Sequence, residues 1–81
     1  MVPNMIDLVK YIVDQLVEDK AAVNITSDNG EEAETITIRV AENDIGKVIG
    51  KQGKIAMAMR TLAKAVGAKA GKRYNIEIAD D

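Results

Sequence analysis

Apolar residues recur every three to four positions between Met5 and Asp19. At about 100° per residue, Ile6, Val9, Ile12, Val13, Leu16 and Val17 gather on one side of a helix, and Asp7, Lys10, Tyr11, Asp14 and Glu18 on the other. Asn4 stands where an N-cap is needed, with Asp7 placed to complete a capping box. The period then changes to two. Val23 and Ile25 alternate with Asn24 and Thr26, and Ile36, Ile38 and Val40 alternate with Thr35, Thr37 and Arg39. Between these two strands lie the turn residues Ser27-Asp28-Asn29-Gly30 and the acidic run Glu31 to Glu34.

Helical spacing returns after Val40. Asn43 or Asp44 can cap a short helix carrying Ile45, Val48 and Ile49 that stops at Gly50. A longer helix is predicted from Lys54 to Val66, with Ile55, Met59, Leu62 and Val66 inward and Gly67 as its C-terminal stop. Tyr74, Ile76 and Ile78 alternate with Asn75 and Glu77 as a last strand. The predicted order is α-β-β-α-α-β, an α+β fold in one domain over residues 1–81. Strands one and two form a hairpin. Two helices separate strands two and three, which favours a parallel crossover. A three-stranded mixed sheet with helices packed on one face follows.

Composition narrows the chemistry. The 81 residues include no Cys, His, Phe or Trp, and two Tyr. Without thiol or imidazole there is no disulfide framework, no zinc site and no nucleophile–base pair of the usual kind, so an enzyme is not expected and no cofactor or metal is implied. No apolar run approaches the ~18 residues of a membrane span. Neither a signal peptide nor an anchor is expected, and a reducing cytoplasm suits the chain.

Net charge is −2, but it is unevenly spread. Residues 1–45 carry ten acids and three bases, whereas residues 46–73 carry eight bases and no acid. That block creates a local positive field inside an acidic protein. Within it lies DIGKVIGKQGK, Asp44 to Lys54, with glycines at 46, 50 and 53. The spacing fits neither a P-loop nor a dinucleotide fingerprint. What remains is Gly50-Lys51-Gln52-Gly53 between two helices. It reads as a tight helix–helix turn, or as a loop that lets a phosphodiester approach a helix N-terminus, with Lys47, Lys51 and Lys54 around it.

Helix–GxxG–helix, preceded by a strand and by Val48-Ile49, resembles the KH domain, whose GxxG loop clamps about four nucleotides of single-stranded nucleic acid. The segment Gly46 to Lys54 matches that family's signature closely. The element order is similar to the bacterial (type II) arrangement, and the whole chain resembles the small bacterial KhpA-like RNA-binding proteins. The resemblance implies a post-transcriptional regulator or RNA chaperone that binds single-stranded RNA. Gly50, Lys51, Gln52 and Gly53 would form the clamp, Lys47 and Lys54 would flank it, and Ile49 and Ile55 would line the base groove. The last two read equally as core. Two departures imply weak, largely electrostatic binding by one domain. The loop Asp28 to Glu32 is acidic and should repel phosphate from its side of the groove, and no aromatic is expected near the groove for stacking. The resemblance also implies self-association or pairing with a Jag-like KH-domain protein, so an adaptor role competes with RNA binding. Met57, with Arg60 and Thr61 nearby and Ala56 and Ala58 beside it, is the expected dimer contact on the outer face of the long helix.

Overall fold

The computed structural model describes residues 4–79. Helix α1 spans Met5–Leu16, and its first turn is capped by Asn4, whose side chain accepts from Ile6 N at 2.9 Å. Met5, Val9, Val13 and Val17 are buried on one stripe, with Leu8 and Ile12 packed beside them. The helix stops three residues before the predicted Asp19. Val17 is extended, and the next two amides, of Glu18 and Asp19, turn away to the Asp44 carboxylate at 3.2 and 3.1 Å. A long-range acceptor outcompetes the helical one.

Strand β1 (Asn24–Asn29) pairs antiparallel with β2 (Glu34–Arg39), and β2 pairs in parallel with β3 (Tyr74–Ile78). The sheet order is β1-β2-β3. The predicted turn at Ser27 is instead strand, because Ser27, Asp28 and Asn29 pair with Ile36, Thr35 and Glu34, and the chain reverses between Gly30 and Ala33. Ile36, Ile38 and Ile76 face the helices and are buried, as period two requires. All three helices lie over this apolar face, as expected for an α+β fold of this order.

After a single 3₁₀ turn at Glu42–Asp44 comes α2 (Ile45–Ile49), five residues anchored by the fully buried Val48. Helix α3 (Lys54–Ala70) then runs back over β3. Two expectations fail here. The buried stripe is Ala56, Met59, Ala63 and Gly67, rotated by about 75° from the predicted one at 100° per residue. Ile55 and Val66 are only half-buried and Leu62 is exposed. Small residues face inward because α3 lies close to its neighbours. Gly67 is interior to the helix, and a Cβ there would sit 2.5 Å from the Lys72 carbonyl oxygen. The true stop is Gly71, in the left-handed conformation with its N–H on the Gly67 carbonyl.

Candidate nucleic-acid interface

The glycine loop joins α2 to α3 by one 3₁₀ turn, Lys51–Gly53. Gly50 has φ 79° and ψ 170°, a region open essentially to glycine alone. A Cβ on it would fall 2.5 Å from Ile55 Cγ1. Ile55 therefore closes over Gly50, and this glycine is required by packing as well as by backbone. Gly53 differs. It is left-handed (φ 73°, ψ 13°), yet nothing lies within 4 Å of where its Cβ would be. Open space there leaves room for a ligand. Gln52 also has positive φ, 58°, which costs a non-glycine residue about 1–2 kcal/mol. The loop tip is thus strained, with Lys51 and Gln52 exposed upon it and Lys54 exposed at the start of α3.

Lys47 is held otherwise. Its ammonium lies 2.9 Å from Glu18 Oε1 and 3.4 Å from Asp44 Oδ1. The hydrogen bond to Glu18 is the main cause that raises its pKa above the ordinary lysine value. Of the two candidate caps, Asn43 and Asp44, it is Asp44 that stands at the N-cap of α2, but its side chain makes no cap bond there. It is buried, and the amides of Asp19 and Glu18, with Lys47, hold its carboxyl below the usual carboxylate range. This carboxylate fastens the end of α1 to the start of the helix that presents the loop. Ile49 is half-buried just before Gly50.

Further along α3, a groove of about 580 Å³ opens between the helix and β3, the strand that ends the sheet. Arg60 and Lys64 line it from α3, Lys72 and Arg73 from the connection, and Tyr74, Asn75, Ile76 and the acidic Glu77 from β3, so four bases face one acid. Arg60, expected at a dimer contact, faces this groove. Tyr74 brings an aromatic to a groove where none was expected, since strand periodicity marks it only as an inward residue. The signal available was its position directly after the basic pair.

The acidic hairpin is not over the glycine loop. Its Glu34 meets Arg73 through the backbone at 2.9 Å and Lys72 at 3.9 Å, beyond the C-terminal end of α3. The glycine loop is at the other end of a 17-residue helix, about 25 Å long. That exceeds the ~8–10 Å Debye length two- to threefold, so the hairpin's repulsion is screened at the glycine loop. Its acids bear instead on Lys72 and Arg73.

The outer face of α3 is apolar. Met57, Ala58, Leu62 and Ala65, edged by Lys54 and Thr61, border a shallow depression of about 540 Å³. Met57 is 63% exposed, and Thr61 Oγ1 donates to its carbonyl at 3.0 Å. Met57 and Thr61 therefore share this face as expected, joined by Leu62. Ala56 does not, being buried on the opposite side. Among the described residues, no group of three or more acidic, His or Cys side chains could hold a metal, and no helix is long and apolar enough to cross a membrane.

Comparison with known proteins agrees with this geometry. The KhpA/KhpB KH domain matches residues 6–78. A protein of Aquifex aeolicus named RNA-binding protein KhpA is 45% identical over 74 residues, covering 91% of this chain and 94% of its own. Its namesake in Caldanaerobacter subterraneus is 47% identical over 72 residues, covering 89% and 96%. That of Borreliella burgdorferi is 40% identical over 77 residues, covering 95% and 94%. No solved structure matches the chain. A glycine loop between two helices, the α-β-β-α-α-β order and likeness along nearly the whole length converge: the chain belongs to the KhpA/KhpB family of KH-domain proteins.

Proposed function

We propose that this chain is a non-catalytic, cytoplasmic RNA-binding protein that clamps single-stranded RNA and acts as a post-transcriptional regulator or RNA chaperone. One observation carries the reading. The strained loop Gly50 to Gly53 leaves the space at Gly53 open, with Lys51 and Lys54 exposed beside it. Lys51 and Lys54 would meet the backbone phosphates, with Gln52 and Gly53 giving close approach. Arg60, Lys64 and Arg73 would carry the strand onward. Ile49 and Ile55 would offer an apolar shelf, and Tyr74 a stacking surface of the kind worth about 1–3 kcal/mol per base. The names of its relatives support the same class of ligand.

Titration with a mixed-sequence single-stranded RNA at several salt concentrations tests this. Neutralising three or four phosphates gives a log–log salt slope of about −2 to −3 for a single strand. Duplex RNA should bind more weakly, because its backbone and bases are not splayed. Replacing Lys51 and Gln52 together by Asp should abolish binding and leave the fold intact, since both are exposed. Equal affinity for duplex and single strand, or binding that survives the double substitution, overturns the reading.

The apolar outer face of α3 favours a companion proposal. A second copy would cover Met57, Ala58, Leu62 and Ala65 about a two-fold axis, using the same patch twice. Two clamps on one RNA would gain avidity that one lacks. A Jag-like KH-domain partner would use the same face in the adaptor reading.

A further inference from the structure

We infer that Glu18 limits the RNA affinity of the glycine loop by holding Lys47 in an intramolecular ion pair that a phosphate must displace. This rests on the RNA-binding reading. Lys47 stands three residues before Gly50, one helical turn or about 5 Å along α2. By sequence it belongs to the cationic cluster that faces the loop. In the fold, its ammonium is drawn back to Glu18 Oε1 at 2.9 Å and to Asp44 Oδ1 at 3.4 Å.

The two carboxylates play different parts. Asp44 is buried and already takes two main-chain amides, so it belongs to the joint between α1 and α2. Glu18 is a surface group whose side chain is 82% exposed, and it makes the shorter contact. The Lys47 side chain is 41% exposed. A pair this exposed is weak and exchangeable, so an incoming phosphodiester can compete for the lysine. Each binding event then breaks one ion pair to make another, and little is gained. Glu18 arrives from the segment after α1, brought to the loop helix because Asp44 captures the Glu18 amide. The same carboxylate that positions α2 thereby positions the competitor.

The test is a double-mutant cycle on the full chain, with single-stranded RNA of mixed sequence as the probe. Glu18→Gln keeps the shape and removes the charge. Freeing one lysine for phosphate adds about 0.7 to the magnitude of the salt slope, which is about fivefold in affinity at 0.1 M salt relative to 1 M. In a Lys47→Gln background, the same Glu18→Gln change should gain less than about twofold, the residue of a general field effect. Titration of the Lys47 ammonium by NMR gives a readout without RNA. Its pKa should fall towards the ordinary lysine value in Glu18→Gln. Unchanged affinity in Glu18→Gln, in a protein whose wild type binds RNA, overturns the inference alone. So does an equal gain in both backgrounds, since the effect then does not pass through Lys47. A wild type that binds no RNA overturns the underlying reading as well.

Discussion

Replacing Gly50 and Gly53 each by Ala separates the two jobs of the loop. At Gly50 the backbone stands at φ 79° and ψ 170°, where a non-glycine residue costs about 1–3 kcal/mol. The new Cβ would also lie 2.5 Å from Cγ1 and 2.8 Å from Cβ of Ile55. The second atom is close to the α3 backbone and cannot swing aside. Relief must come from moving the helix start, at a cost of about 1–3 kcal/mol typical of overpacking. The unfolded chain returns about 0.4–1 kcal/mol through lost freedom. The net expectation is a loss of about 1–6 kcal/mol, centred near 3, out of a total near 4–12 kcal/mol for a domain of this size. At Gly53 the left-handed backbone costs about 1–2 kcal/mol, no steric contact is added, and the same entropy is returned. That leaves about 1 kcal/mol. Urea unfolding followed by far-UV circular dichroism measures both. With an m-value of about 1 kcal/mol/M, Gly50→Ala should lower the midpoint by about 2 M or more, and Gly53→Ala by about half of that or less. RNA titration of the folded Gly53→Ala should then show weakened binding, because the methyl group occupies the open approach. Equal midpoints for the two variants would refute the packing argument. Undiminished RNA binding by Gly53→Ala would refute the role of its open space.

Three further outcomes follow from the same geometry. Gly46→Ala, with nothing within 4 Å, should stabilise the protein by up to about 1 kcal/mol, whereas Gly67→Ala should destabilise it by about 1 kcal/mol through the Lys72 carbonyl and the Tyr74 ring; urea midpoints that move together would contradict this. Met57→Glu should weaken self-association in sedimentation equilibrium with the circular dichroism spectrum unchanged, and a wild type that stays monomeric at high concentration rejects the dimer. The Asp44 pKa lies below the ordinary 3.8 because the Asp19 and Glu18 amides donate to it, so its contribution is complete above the unfolded value and lost as pH falls through the folded one. The Lys47 pKa lies above 10.5, so its contribution is complete below that value and lost as pH rises through the higher folded one. Urea midpoints should therefore be flat in between, and Asp44→Asn should flatten the acid limb; an acid limb unchanged in the variant would show that other carboxylates cause it.

Much of the architecture was legible in the chain itself. Period-two alternation at Ile36, Ile38, Ile76 and Ile78 set the strands and their buried face, because side chains on a strand alternate strictly. Asn4, Gly50 and the intervening apolar spacing marked where helices begin and stop. The loop Gly50-Lys51-Gln52-Gly53 and the basic block around it were visible as composition, and they carried the family resemblance.

Other features depended on contacts between distant residues. The rotation of α3 is one. Periodicity favours large residues inward, but close packing selected Ala56, Ala63 and Gly67 and left Leu62 outside. Gly67 looked like a stop signal and serves as a point of close approach to Lys72. Asp44 looked like a local cap and binds amides 25 and 26 residues away, which also ends α1 early. The chain alone thus determined element type, order, buried strand face and the clamp motif, since each is encoded in neighbours or in a short repeat. Only tertiary structure decided which face of α3 lies inward, which lysines stay free, where the acidic hairpin sits and which aromatic enters the groove, because each depends on what another segment brings into contact.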